Sequence, residues 1–490
     1  MLFSSWQFIF VFLPLSYFLY FYLARKKLII ASKLCLVVAS LFFYAYWKVS
    51  YLPLILMSLA FNFALGTVLS QSHVHNKRVN RKVSLTIGIV FNLGLLAYFK
   101  YTGFILDNFS HIADINFNID TILLPLAISF FTFQQIAYLV DSFKGETSEY
   151  DFLHYTLFVT FFPQLIAGPI VHHHEMMSQF VSKWNWLPRY KNIVSGLFIF
   201  SIGLFKKVVI ADTFSIWANE GFASNAVLDI YSAWVTSLSY TFQLYFDFSG
   251  YCDMAMGAAL LFNIKLPINF NSPYKSVSIQ DFWRRWHITL SRFLRDYVYI
   301  PLGGSHKTDL TTYSNLMITF LLGGLWHGAS WMFVIWGALH GVALVIHRVW
   351  STVGFVLPKA MAWFITFNFI NITWVFFRAE DLNTALNIIK SMFYIPSDNV
   401  SVPYINQIAW LGSNADYLLS IFPNGIVVNM FSLCTILFTF LIISRKNSVE
   451  IVQEVNLKNK YYFSYLAAVF SLSVYVMVST SNAVFLYFNF

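Results

Sequence analysis

The sequence predicts an all-α polytopic membrane protein, and three observations lead there. Of its 490 residues, 58% are hydrophobic and 11% charged, whereas a soluble globular protein carries roughly 25% charged residues. Aromatic side chains make up 20%, with 54 Phe and 15 Trp, a richness that suits lipid-facing helices flanked by interfacial belts. Many windows also reach the roughly 20 apolar residues that one bilayer crossing requires.

The first such window covers residues 5–24. No charged side chain occurs before Arg25, so the positive n-region of a cleavable signal peptide is missing. Arg25, Lys26 and Lys27 follow the window, which predicts an N-terminus outside and these residues in the cytoplasm. Further windows lie at 28–47, 50–70, 84–105, 121–140, 193–211, 230–249, 329–347, 360–377, 418–444 and 461–480, making eleven. Apolar pieces at 152–171, 252–268, 287–303 and 310–325 are interrupted by Pro, Gly or charge. They predict short, tilted or re-entrant segments, which need protein or a wet cavity around any non-helical backbone. The expectation is about 11–13 spans plus re-entrant or interfacial helices.

Charge parity supports the early topology. Lys77, Arg78, Arg81 and Lys82 lie two spans beyond Arg25 and share its side, while the connection 107–120 holds Asp107, Asp114 and Asp120 but no Lys or Arg. The polar connections 172–192, 270–286 and 381–416 are too short to close a core alone. One membrane domain over 1–490 is therefore expected, with N-terminal spans in 1–120, a catalytic core in 121–350 and C-terminal spans in 351–490.

Several function classes lack support. The net charge of +9 comes from short basic clusters between apolar segments, a positive-inside pattern and not a nucleic-acid surface. Cys35, Cys252 and Cys434 are far apart in apolar surroundings and read as unpaired small residues. His172-His173-His174-Glu175 lacks an HExxH spacing, so no metal site is expected. GxxxxGK[ST] and GxSxG are missing, and no GxGxxG opens a helix after a strand. A transporter would also use buried polar residues, but no inverted halves stand out.

Residues 310–347 contain no Asp, Glu, Lys or Arg, yet GGLWHGASW places His327 near their middle. An ionisable group there is a functional candidate by default, and helix-packing glue is the alternative. Gly323, Gly324 and Gly328 are expected to weaken helix continuity, and Trp326 and Trp331 to wall a pocket. A neutral imidazole suits removal of a proton from an attacking hydroxyl. Asn315, Ser330 or backbone amides near the glycines are candidate donors to an oxyanion.

In DFWRRWHITLSRFLRDYVYIPLGG (281–304), i,i+4 spacing couples Asp281 to Arg285, His287 to Ser291 and Arg292 to Asp296, predicting an interfacial helix. Arg284, Arg285, Arg292 and Arg295 form either a cationic rim for the phosphates of coenzyme A or a set of snorkelling side chains. Gln134, Gln135 and Asp141, with Gln243, Asp247, Tyr251 and Asp253, are expected to face an interior cavity or to pair with the arginines.

At these motifs the chain resembles the membrane-bound O-acyltransferase (MBOAT) family, in its bacterial branch typified by the membrane subunit of alginate O-acetylation. The likeness runs through LPLAISFFTFQQIAYLVDSF (124–143), FFPQLIAGPI (161–170), the stretch 242–274, FWRRWHITLSRFLRDYVYIPLGG (282–304) and the stretch 315–341. The resemblance implies tilted helices around a central funnel, His327 as the reactive histidine, and His287 as a second histidine acting as catalyst or as support. It implies acetyl-CoA as the donor with no tightly bound cofactor, and an extracytoplasmic polysaccharide as acceptor. It further implies a multi-pass inner-membrane location with a periplasmic N-terminus, and a periplasmic or membrane-anchored partner that completes the transfer. Peptidoglycan O-acetylation and D-alanyl transfer to teichoic acid are the alternatives within the family.

Overall fold

The structure, a computed structural model, describes residues 1–75, 80–114, 122–147, 151–223, 228–394, 424–454, 460–479 and 486. Regular structure among the described residues is entirely helical. Seven helices there are long and apolar enough to cross a membrane: Phe8–Arg25, Val49–Ser70, Arg81–Ala113, Tyr190–Gly221, Trp331–Val353, Lys359–Arg378 and Tyr461–Ser479. Met430–Ser444 and Ser448–Glu454, bent by 51° at their junction, add an eighth if they are taken as one span.

The remaining windows fall short for identifiable reasons. Helix Ile29–Ala45 has 17 residues. The window at 121–140 becomes helical only at Ile128, because Ala127 stands in the left-handed region at φ 62°. Window 230–249 belongs to the 32-residue helix Ile230–Leu261, whose Gln243, Asp247 and Asp253 dilute its apolar character. Residues 418–423 of another window, Lys77, Arg78, the stretch 115–120 with Asp120, and most of the connection 381–416 lie outside the described residues.

The interrupted segments also resolve. Residues 152–171 form two short helices, Phe152–Thr160 and Phe162–Leu165, where Pro163 cannot donate to the preceding turn. The segment 310–325 corrects the expectation of a break: Asp309–His327 is one helix through Gly323 and Gly324.

The chain packs as two compact units, Met1–Phe200 with Met254–Pro267, and Ser201–Asp253 with Ile268–Phe490. In the first, Phe8 is fully buried among Phe3, Phe43, Phe162 and Phe200, at ring distances of 4.8, 5.7, 6.0 and 6.3 Å. Several of its buried polar residues bond to one another or to the backbone. Ser58 donates to Gln135 at 3.0 Å, Asn62 donates to the same oxygen, and Gln134 donates to the carbonyl of Phe158 at 3.0 Å. Asp141 pairs with His172 at 3.3 Å, and His173 meets the Thr147 hydroxyl at 2.7 Å.

In the second unit, two adjacent lysines on a π-helical turn, Lys206–Ala211, project into a buried acidic cluster. Lys206 pairs with Asp253 at 2.6 Å and reaches Ser448 at 3.0 Å, while Lys207 pairs with Asp212 at 2.7 Å and Asp247 at 2.8 Å. The pairing of Asp247 and Asp253 with arginines is thereby corrected. Helix Ile230–Leu261 carries both carboxylates, and the lysines of the π turn lie nearest to them in this fold.

Candidate active site around two histidines

Ser278 caps helix Ile279–Arg285, its hydroxyl accepting from the Asp281 amide at 3.1 Å. The helix then stops. Trp286 is extended and His287 is left-handed at φ 42° and ψ 53°, before a second helix, Ile288–Leu294, begins. The single interfacial helix expected over this region is therefore a kinked pair. Asp281 and Arg285 do pair, at 2.8 Å, because both precede the kink. Across the kink, the Ser291 hydroxyl turns to the Trp286 carbonyl at 3.4 Å. A π turn, Arg295–Tyr299, follows, and there Arg295 binds Asp296 at 2.7 Å.

The kink sends His287 inward while Arg284 stays exposed. His287 is fully buried against Phe248, with ring centres 4.8 Å apart, and its Nδ1 lies 3.1 Å from Oδ1 of Asn269. It sits outside the spanning helices, and burial pushes its pKa down to about 3. The ring is accordingly neutral.

His327 ends helix Asp309–His327, where Gly328 turns the chain extended at φ −165°. Ser330 then caps helix Trp331–Val353 by accepting from the Met332 amide at 3.2 Å. These two helices approach closely at Gly324 and Gly337. A Cβ on Gly324 would meet the Phe333 carbonyl at 2.3 Å, and one on Gly337 the Phe320 carbonyl at 2.4 Å. Gly324 thus serves helix contact, while Gly328 ends the helix. The His327 ring is buried among the edges of Trp326, Trp336 and Phe377, at 5.0, 5.2 and 5.1 Å. Trp326 also faces His287 at 6.1 Å, and the two imidazole centres are 6.5 Å apart.

The remaining candidates separate from this pair to different degrees. Asn315 precedes His327 by twelve positions on one helix, or about 18 Å of helical rise. Its amide donates to the Gly304 carbonyl at 3.0 Å, so it holds the turn before the helix and is too distant for an oxyanion at His327. Ser330 lies three residues beyond His327 and uses its oxygen as a helix cap. Arg284 and Arg295 are exposed, and Arg285 and Arg292 are half-buried. Arg284 makes no hydrogen bond or ion pair with the described residues. No group of three or more His, Cys, Asp or Glu converges as a metal site among the described residues.

Sequence reading passed over His340. It is fully buried, accepts from the Trp283 indole at Nδ1 (3.2 Å), and meets the Thr373 hydroxyl at Nε2 (3.2 Å). An indole only donates, so Nδ1 is the acceptor and Nε2 carries the proton. Both nitrogens are occupied, which makes His340 a brace beneath Trp336, 4.7 Å away. Its i,i+3 spacing to Gly337 on an apolar helix was the available signal.

The fold is helical with several membrane-spanning helices, and it encloses His287 and His327 together among aromatic rings. The family model described as "MBOAT, membrane-bound O-acyltransferase family" matches residues 2–379, and the chain belongs to that family. A Helicobacter pylori protein named "Peptidoglycan O-acetyltransferase" is 47% identical, over 100% of this chain and 98% of its own length. An Azotobacter vinelandii protein named "Probable alginate O-acetylase AlgI" is 41% identical, over 80% of this chain and 78% of its own. A Bacillus subtilis "Teichoic acid D-alanyltransferase" is 29% identical, over 50% and 66%. The chain is a multi-pass membrane O-acyltransferase.

Proposed function

We propose that this enzyme takes acetyl groups from cytoplasmic acetyl-CoA and delivers them through the inner membrane for O-acetylation of an extracytoplasmic glycan. The observation that carries this reading is the buried pair His287 and His327, 6.5 Å apart between ring centres, in a chain of this family. The acceptor hydroxyl oxygen attacks the thioester carbonyl carbon, forming the C–O bond as the C–S bond breaks. His327 takes the hydroxyl proton and returns it to the departing thiolate, yielding ester and free coenzyme A. The exposed Arg284 and Arg295, with Arg285 and Arg292, supply positive charge for the phosphates of the donor.

Peptidoglycan is the acceptor that the full-length likeness to the Helicobacter pylori protein favours. An alginate-like polysaccharide is the second reading, supported by a likeness over 80% of the chain. A periplasmic or membrane-anchored transferase completes delivery to sugar, and the N-terminus lies on the periplasmic side, a reading supported by the basic clusters that follow the apolar windows 5–24 and 50–70.

The test supplies radiolabelled acetyl-CoA to membranes holding wild type or His327→Ala at matched expression. Label in wall glycan released by muramidase, lost in the variant, is the expected result. Equal labelling of both proteins overturns the role of His327, and label only in exopolysaccharide overturns the peptidoglycan reading.

A further inference from the structure

Asn269 occupies the loop before the kinked helices and is fully buried. Its Oδ1 accepts from the Thr289 amide at 3.2 Å and the Thr289 hydroxyl at 2.9 Å, and its Nδ2 points to Cys252 Sγ at 3.5 Å. A backbone amide only donates, so the atom facing Thr289 is the oxygen and the orientation of the Asn269 side chain follows. The same oxygen lies 3.1 Å from Nδ1 of His287. Two acceptors do not bond, so Nδ1 carries the hydrogen.

In a neutral imidazole the other nitrogen then holds a bare lone pair. Nε2 of His287 is buried and makes no hydrogen bond with the described residues. The backbone reinforces this arrangement. Ile288 donates to the Asn269 carbonyl at 3.0 Å and Asn271 donates to the Arg285 carbonyl at 2.9 Å, stitching the loop to both sides of the kink. The left-handed His287 is held in place by these bonds.

We propose that Asn269 is a positioning residue of the acyl-transfer site, fixing His287 as the Nδ1-protonated tautomer so that His287 offers only an acceptor, Nε2, beside His327. The assignment rests on the acyltransferase reading above. It decides between two roles for His287: the ring accepts a hydrogen bond or proton from a reacting group and does not donate to an oxyanion.

Two measurements test it. Solid-state 15N NMR of histidine-labelled protein in bilayers reads the tautomer directly, with the His287 signal among 12 histidines identified by its loss in His287→Ala. A protonated Nδ1 and bare Nε2 are expected in wild type, and a protonated Nε2 overturns the proposal whatever the enzyme acylates. The second measurement is the pH profile of acetyl transfer in membranes. Asn269→Asp keeps oxygens for Thr289 and His287, but its buried carboxylate favours the imidazolium, and the acid limb should move up by about one unit or more. Asn269→Ala should lower kcat about tenfold or more at unchanged KM for acetyl-CoA. A wild-type pH profile in Asn269→Asp, or a loss in Asn269→Ala that only follows the amount of folded protein, reduces Asn269 to a structural role.

Discussion

At His287 the backbone stands at φ 42° and ψ 53°, a conformation that a non-glycine residue adopts at about 1–3 kcal/mol. The fold sustains it by full burial of the ring, by its bond to Asn269 and by the bond from the Ile288 amide to the Asn269 carbonyl. His327 and His340 are equally enclosed but differ in kind. His340 has indole and hydroxyl partners on its two nitrogens, so His340→Ala orphans the Trp283 indole and leaves a cavity. The expected loss is about 2–4 kcal/mol of stability, read as a lower melting temperature in detergent, with residual activity tracking folded protein. His327→Ala should instead abolish transfer at matched folded protein. If His340→Ala retains the wild-type melting temperature, the bracing role fails.

Among elements, the π turn Lys206–Ala211 illustrates how the second unit tolerates charge. A π turn places an extra residue in the helix, and here both Lys206 and Lys207 face carboxylates instead of one. Removing one partner from a buried pair is more damaging than removing both. Lys207→Met should therefore lower stability by about 3–5 kcal/mol, because Asp212 and Asp247 lose their shared cation. The double variant Lys207→Met/Asp247→Leu should recover part of that loss. Thermal unfolding of the purified proteins checks both, and equal losses in single and double variants would remove the pairing from the account. The glycine contact between Asp309–His327 and Trp331–Val353 is the second element-scale device, since it brings the C-terminus of one helix, with His327, against Trp336 of the other.

For the whole molecule, the orientation in the bilayer is open to a direct test. In a variant lacking Cys35, Cys252 and Cys434, a cysteine at Lys26 should resist an impermeant maleimide in right-side-out vesicles, and one at Asp114 should react. The reverse labelling pattern inverts the topology and places the first basic cluster outside. The spans themselves follow from lengths and apolar content that hold without any tertiary detail.

Composition alone determined the solvent of this protein, because 58% hydrophobic and 11% charged residues leave the bilayer as the medium for most of the chain. His327 was legible as well: an ionisable residue in a run of 38 without Asp, Glu, Lys or Arg (310–347) stands out against its surroundings. The tertiary structure decided what spacing does not encode. The helix expected to be intact breaks at His287, and the helix expected to break at its glycines runs on to His327. Both outcomes depend on partners outside the helix itself, Asn269 for the kink and Phe333 with Gly337 for the glycines. The buried carboxylates took lysines as partners, and Asn315 was taken by a carbonyl one turn before its own helix. Local periodicity reports which residues share a face. Which buried donor meets which acceptor is settled only when elements far apart in the chain pack together.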